Sequence, residues 1–323
     1  MITPAARDRA VDAAAVSPVS VATTAMGGRL AIHLAAERDD LRALHDGRQI
    51  LARIDRWAER LSRHLDGSEL SALNDDPNWA VSIRPTLGAV LWAGLDARDA
   101  SEGLVDITLL DARLAAEGLI PAARPTGAHP WSVQFGPGRG AIVQRQPGVR
   151  FDLGGVAKGW LADRALDLLA RWTGVVVDAD GDLAVRCAVG GQWTIAIDDP
   201  RADNASLAVL NLSTPAGNLP ARWGIATSGT SVHRWGVSGS VRHHLIDPRT
   251  GISAVTDVVQ ATVICGTTLR AEALAKAAVI AGSAEGLALL ERAGVAGAIL
   301  LTDRDEVLAL PSTLALLDPP GDA

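Results

Sequence analysis

The stretch Phe151-Asp152-Leu153-Gly154-Gly155-Val156-Ala157-Lys158-Gly159-Trp160 carries the strongest local signal in the chain. It reads as the end of a strand, a double-glycine turn, and a helix that continues with Leu161, Ala165, Leu168 and Trp172 in register. Two glycines at a strand-to-helix turn let backbone N–H groups approach an anion, and the new helix adds its positive end. Phosphate is the ligand that suits such a turn. The run is neither a GxGxxG fingerprint nor a GxxxxGK[ST] loop, and a double glycine that merely makes a tight turn is the plainer reading.

Working outward, the second half of the chain alternates short β-rich runs with turn clusters: Gly174 to Val177, Trp193 to Ile197, Leu207 to Leu212 and Ala261 to Cys265. The clearest helices follow Gly155 and Thr267. In the first half, Arg29 to Ala35 reads as a strand, and a long helix ends near Leu61 with Ile50, Ile54, Trp57 and Leu61 on one face. Another helix starts at Pro85, a residue suited to a first turn, with Leu87, Val90, Leu91 and Leu95 on one side. Between these two, RHLDGSELSALNDDP reads as loop-rich. Pro121 to Pro147, dense in Pro, Gly and Arg, reads as a surface connection. The mixture predicts an α/β (α+β) architecture, one domain of mixed sheets flanked by helices over residues 23–318, behind a flexible tail over 1–22.

Composition narrows the function classes. With 48% hydrophobic and 21% charged residues, the 323-residue chain has the balance of a packed globular protein. Lys+Arg 30 against Asp+Glu 37 gives a net charge of −7, so no basic field exists to hold nucleic acid or an anionic membrane. No window approaches the roughly eighteen apolar residues of a membrane span. The N-terminus, MITPAARDRAVDAAAVSPVS, lacks the apolar core of a secretory signal, so the expected location is the cytoplasm. Cys187 and Cys265 form no CxxC pair. Arginine is the default cation, and the two lysines, Lys158 and Lys276, both fall in motif-like segments, where a compact ammonium differs from a planar fork.

Two further runs bear chemistry. Trp223-Gly224-Ile225-Ala226-Thr227-Ser228-Gly229-Thr230 ends in hydroxyls and a glycine, suited to phosphate or a polar ring edge, although Thr-Ser-Gly is also an ordinary turn. His243-His244-Leu245-Ile246-Asp247-Pro248-Arg249-Thr250-Gly251 sets an imidazole near a carboxylate that would orient it as a general base. A structural histidine is the plainer reading.

Taken in order, the three runs resemble the ApbE-like FAD:protein FMN transferases, with their D-[LV]-G-G-I-A-K-G, A-T-S-G and H-[IL]-[IL]-D-P-x-T-G segments. Ser68 to Asn74, Met26-Gly27, Asp106 to Thr108, Asp180-Gly181-Asp182 and Arg270 to Gly282 are similar to further segments of that family. The resemblance implies a reaction at a pyrophosphate: FAD is bound, a threonine hydroxyl of a partner flavoprotein attacks the flavin-side phosphorus, and AMP leaves. By the same resemblance Gly154, Gly155 and Lys158 cradle the pyrophosphate, and Thr227 and Ser228 hold the nucleotide. Met26 packs on the flavin, His244 takes the proton, and Lys158 shares the catalytic role. Asp106, Asp152, Gly181, Asp182, Gly229 and Asp247 complete the implied cofactor-binding set. The alternatives are a non-catalytic FAD-binding paralogue and a hydrolase giving FMN and AMP.

Departures from the family pattern are part of the expectation. The family's closing helix offers an Asp, and four residues later often a Thr, to Mg2+, which also takes a backbone carbonyl from the turn at Ala157. Here the helix positions read Glu272 and Lys276, so Lys276 is expected to replace the metal. Gly28 stands for a threonine and Asp180 for a glycine.

Overall fold

A computed structural model describes residues 18–25, 27–37, 39–121, 130–136, 140–203, 205–214, 221–237 and 240–317. In chain order the first half holds β1 (Val19–Ala25), β2 (Gly28–Leu34), α1 (Leu41–Leu61), α2 (Glu69–Asp75), β3 (Ala80–Ile83), α3 (Pro85–Ala100), α4 (Leu110–Ala116), β4 (Trp131–Phe135), β5 (Ala141–Arg145) and α5 (Ala157–Leu168). The second half holds β6 (Val175–Ala179), β7 (Asp182–Cys187), β8 (Gln192–Asp198), β9 (Ser206–Ser213), β10 (Ala221–Gly229), β11 (Arg234–Val237), β12 (Ser240–His243), β13 (Ile246–Asp247), β14 (Ile252–Ser253), β15 (Val258–Cys265), α6 (Thr268–Ala281), α7 (Ser283–Arg292), β16 (Gly297–Thr302) and β17 (Val307–Ala309). A 3-10 turn over Pro311–Leu316 follows.

The main sheet has eight strands in the order β1-β2-β6-β7-β10-β15-β16-β17, each antiparallel to its neighbours. It is covered on both faces, so its central strands read as unbroken apolar runs rather than alternating ones. In β6, Val175 and Val177 join the core beneath the helices, while Val176 joins a second core under the β8–β9 hairpin with Trp193, Ile195, Leu210 and Leu212. Helices α1, α5 and α6 pack on the first face. The expected α+β class is what forms.

Several sequence expectations need correction. Val19–Ala25 is a strand paired to β2 through Val19↔Leu34, so the segment assigned to a tail over 1–22 includes the start of the sheet. The stretch read as loop-rich before Pro85 contains α2, whose N-cap Ser68 accepts a hydrogen bond from the Ser71 N–H at 2.9 Å. The Pro121 to Pro147 connection contains β4 and β5, which with β3 make a three-stranded sheet. In α5 the buried face is Leu161, Ala162, Ala165 and Leu166, whereas Leu168 is exposed.

Two helices set the geometry of everything that follows. Helix α6 is buried almost throughout, from Ala271 to Ile280, and its alanines allow close approach of neighbours on all sides. Its own first turn is capped from outside: Asp163 of α5 accepts the N–H groups of Thr268 and Leu269, each at 3.0 Å. Gly159 lets the two helices meet, since a Cβ there would lie 2.8 Å from the Leu269 backbone.

Candidate active site

The double-glycine turn closes through the Leu153 carbonyl, which accepts from the N–H groups of Val156 and Ala157 at 3.0 and 2.9 Å. Neither glycine has the positive φ that would require the residue type. A Cβ at Gly155 would make only ordinary contacts of 3.6–3.8 Å with Val105 and Lys276. The fold therefore does not demand glycine at 155. The Gly154 N–H is held by Asp152 Oδ1 at 2.9 Å, whereas the Gly155 N–H has no hydrogen-bond partner among the described residues.

Beside this turn lies a narrow cleft of about 70 Å³, and Asp106, Asp152, Gly155, His244 and Lys276 line it together with Arg113. Residues from three distant motifs therefore meet in one place. The side chain of Asp106 is buried: Oδ1 accepts from the Thr108 N–H and hydroxyl, at 2.8 and 2.6 Å, and Oδ2 makes no hydrogen bond among the described residues, with Arg98 Nε 3.7 Å away. His244 Nδ1 is likewise buried without a hydrogen-bond partner. Burial, then the charges of Lys276 and Arg113, push the His244 imidazole down to about 2, so it is neutral at ordinary pH.

Lys158, in the first turn of α5, points at the β6–β7 hairpin. Its Nζ lies 3.2 Å from Asp182 Oδ2 and 4.0 Å from Asp180 Oδ2. Burial opposes its charge, but Asp182, Glu272 and Asp180 outweigh it and hold the ammonium above the usual lysine range. The hairpin turns on Asp180 and Gly181, with φ of 58° and 93°, the doubly positive pattern for which Asp-Gly is favoured. A Cβ at Gly28 would sit 2.2 Å from Asp180 Cγ. Two departures from the family pattern, Gly28 and Asp180, are thus complementary: the carboxylate fills the space that a side chain at 28 would need.

Glu272 and Lys276 also form a pair. Lys276 Nζ donates to Glu272 Oε1 at 2.8 Å, and Glu272 Oε2 accepts from the Gly159 N–H at 2.8 Å. Glu272 is fully buried, and burial raises its carboxyl against the pull of Lys276. With an ammonium on one oxygen and an amide on the other, these residues do not fit a divalent ion. No group of three His, Cys, Asp or Glu side chains able to hold a metal occurs among the described residues. Ala157 is buried at the start of α5.

Other expected residues fall differently. Thr227, Ser228 and Gly229 lie on β10 outside the lining of the cleft. Thr227 Oγ1 is 2.8 Å from Thr262 Oγ1, and a Cβ at Gly229 would lie 2.7 Å from the Val259 carbonyl, so this glycine serves strand packing. Asp247 does not orient His244. Its carboxylate is gripped by Arg249 at 2.8–3.1 Å. Met26 lies outside the described residues. His243 has a structural role: Nε2 is 3.0 Å from the Ala254 carbonyl, and Nδ1 is 3.3 Å from the Leu245 N–H that donates to it.

Two neighbours of His244 carried no motif signal. His233 sits edge-on to His244 with ring centroids 5.2 Å apart, on a backbone with φ of 49°. Arg113 ties α4 to the His244 segment by donating to the His244 carbonyl at 3.0 Å, while its Nε donates to Glu117. A left-handed histidine and a cross-chain arginine leave no trace in local periodicity.

The description of one protein family, ApbE, matches residues 26–300. The chain belongs to the ApbE family. Among its curated relatives, an FAD:protein FMN transferase of Klebsiella pneumoniae is 31% identical over 54% of this chain and 52% of its own length. One from Vibrio cholerae is 27% identical over 76% of this chain and 77% of its own. Against the Klebsiella relative the chain thus spans about half of the relative's length. The ApbE fold is seen in the crystal structure of the ApbE protein from Thermotoga maritima, with a TM-score of 0.77 at 21% identity, covering 94% of this chain and all of that one. The apo flavinyl transferase ApbE of Pseudomonas stutzeri gives 0.74 at 22%, covering 94% and 98%. No helix among the described residues is long and apolar enough to cross a membrane.

Proposed function

We propose that this ApbE-family protein binds FAD and transfers FMN to a threonine hydroxyl of a partner flavoprotein. The observation that carries this reading is the meeting of the Gly155 amide, the Lys276 stem and the unpartnered His244 imidazole in one cleft. The relatives' shared name, FAD:protein FMN transferase, supports it.

In this reading the diphosphate of FAD lies along the Gly154–Gly155 turn, within the field of Lys158 at the start of α5. The threonine oxygen forms a bond to the flavin-side phosphorus, the bond from that phosphorus to the AMP oxygen breaks, and AMP leaves with the electron pair. The hydroxyl proton goes to His244, whose Nδ1 has no hydrogen-bond partner among the described residues. A bound diphosphate offsets the charge of Lys276 and so raises the basicity of His244 from its depressed value toward that needed for proton transfer. Arg113, by holding the His244 carbonyl, fixes the distance between imidazole and turn.

The test is incubation with FAD and a peptide bearing an acceptor threonine, following AMP release and flavin attachment to the peptide. Both together support transfer. AMP without labelled peptide means that water replaces the acceptor, and FAD binding without AMP means a non-catalytic carrier; either result overturns the reading.

A further inference from the structure

We propose that this site handles its diphosphate substrate without a divalent cation, the buried ammonium of Lys276 standing permanently as the positive charge beneath the glycine turn; this rests on the FAD reading above. Within the buried run of α6, Glu272 and Lys276 are the charged residues, one helical turn apart. A carboxylate buried this deeply requires a counter-charge, and Lys276 supplies it from the same helix, while Gly159 adds an amide from α5.

The Lys276 stem places that charge where a substrate would feel it. Its Cδ and Cε lie 3.7 and 3.8 Å from the position of a Cβ on Gly155, so the chain passes directly under the turn. The side chain also lines the cleft with His244. Mg2+ demands near-ideal octahedral oxygen coordination at about 2.0–2.1 Å, and an ammonium already 2.8 Å from Glu272 Oε1 would repel a dication at that distance. Of the other buried carboxylates nearby, Asp182 pairs with Lys158, and Asp106, in the lining of the cleft, accepts from Thr108 through Oδ1 with Arg98 Nε 3.7 Å from its Oδ2. Each of the chain's two lysines thus answers one buried carboxylate. Asp180 is half exposed at 4.0 Å from Lys158, where water screens it.

A tethered ammonium differs from a metal in one measurable respect: its occupancy does not depend on solution conditions. Calorimetric titration of MgCl2 into the flavin-free, full-length protein should give no saturable heat up to millimolar concentration. FAD affinity, read by flavin fluorescence, should change less than twofold between magnesium and EDTA. Lys276→Met alone leaves Glu272 uncompensated, so the second probe is the Glu272→Gln, Lys276→Met double variant, which removes both charges with little change of volume. It should fold and bind FAD at least tenfold more weakly. Saturable Mg2+ binding by the flavin-free protein, a tenfold magnesium-dependent gain in FAD affinity, or a double variant that binds FAD as the parent does would each overturn the proposal. Failure of the parent to bind FAD at all would instead sink the functional reading, and the flavin-free magnesium titration would still decide whether a cation is held.

Discussion

Two clefts flank the segment from the glycine turn through α5: a wide one of about 830 Å³ that the helix borders at Trp160, Asp163 and Arg164, and the narrow one lined by Gly154 and Gly155 of the turn before it. In the wide cleft the charges answer one another. Asp163 caps α6 and pairs with Arg222, Arg222 also reaches Asp167, and Arg292 bridges Glu102 and Glu285. Arg222 Nε is its one buried side-chain polar atom without a hydrogen bond among the described residues. In the narrow cleft, Asp106 Oδ2 and the His244 nitrogen are left over, beside a glycine that the fold does not need. What separates the two clefts is therefore less their volume than the acid and base groups, Asp106 and His244, that the narrow one leaves without a hydrogen bond.

The largest test of that contrast is Lys158→Met. It leaves Asp182 buried without its counter-ion, so unfolding by denaturant should show a loss of about 3–5 kcal/mol, and FAD binding should fall below detection. An unchanged unfolding midpoint would mean that Asp182 finds another partner.

His244→Asn probes the leftover imidazole. Transfer should fall about a hundred- to ten-thousand-fold with FAD affinity kept, measured by AMP release against fluorescence titration. The same variant has a pH signature. Because the folded value lies near 2 and the ordinary value is 6.5, the unfolded chain takes up this proton first as the pH falls. The group therefore withdraws stability below pH 6.5, and His244→Asn should flatten that acid loss by up to about 1.4 kcal/mol per pH unit.

On the wide side, Asp163→Ala should cost about 1–2 kcal/mol through the lost cap while leaving FAD affinity within twofold. A tenfold drop in affinity would join the two clefts into one functional unit. The smallest change is expected at Arg292→Ala, where exposed ion pairs contribute about 0.5 kcal/mol or less and transfer should stay at the parent rate.

What was legible in the sequence followed local rules. The 3.6-residue spacing of Ile50, Ile54, Trp57 and Leu61 marks the core side of α1, and Pro85 opens α3. Short elements were lost: α2 is a single capped piece of seven residues inside a polar stretch, and β4 and β5 are hidden among prolines and glycines. At the site, Gly155, Lys158, His244 and the Glu272–Lys276 pair could be named from motifs and spacing. Asp163 as a cap for a helix 105 residues away, the fit of Asp180 over Gly28, and His233 against His244 depend on tertiary contact alone. Asp247 misled because its neighbour Arg249, two residues on, competes for the carboxylate more directly than an imidazole can.

The placement of both lysines has a practical consequence. Acylating reagents that seek primary amines will find, apart from the chain's own amino terminus, only Lys158 and Lys276, whose side chains are 27% and 11% exposed. Such reagents attack the neutral amine, so Lys158, an ammonium held above the usual lysine range by Asp182, is slow to react, whereas a nucleotide seated as proposed would shield Lys276 from the cleft side. The extent of acylation at Lys276, read by mass spectrometry of arginine-cleaved fragments, therefore reports occupancy, with Lys158 as the internal reference.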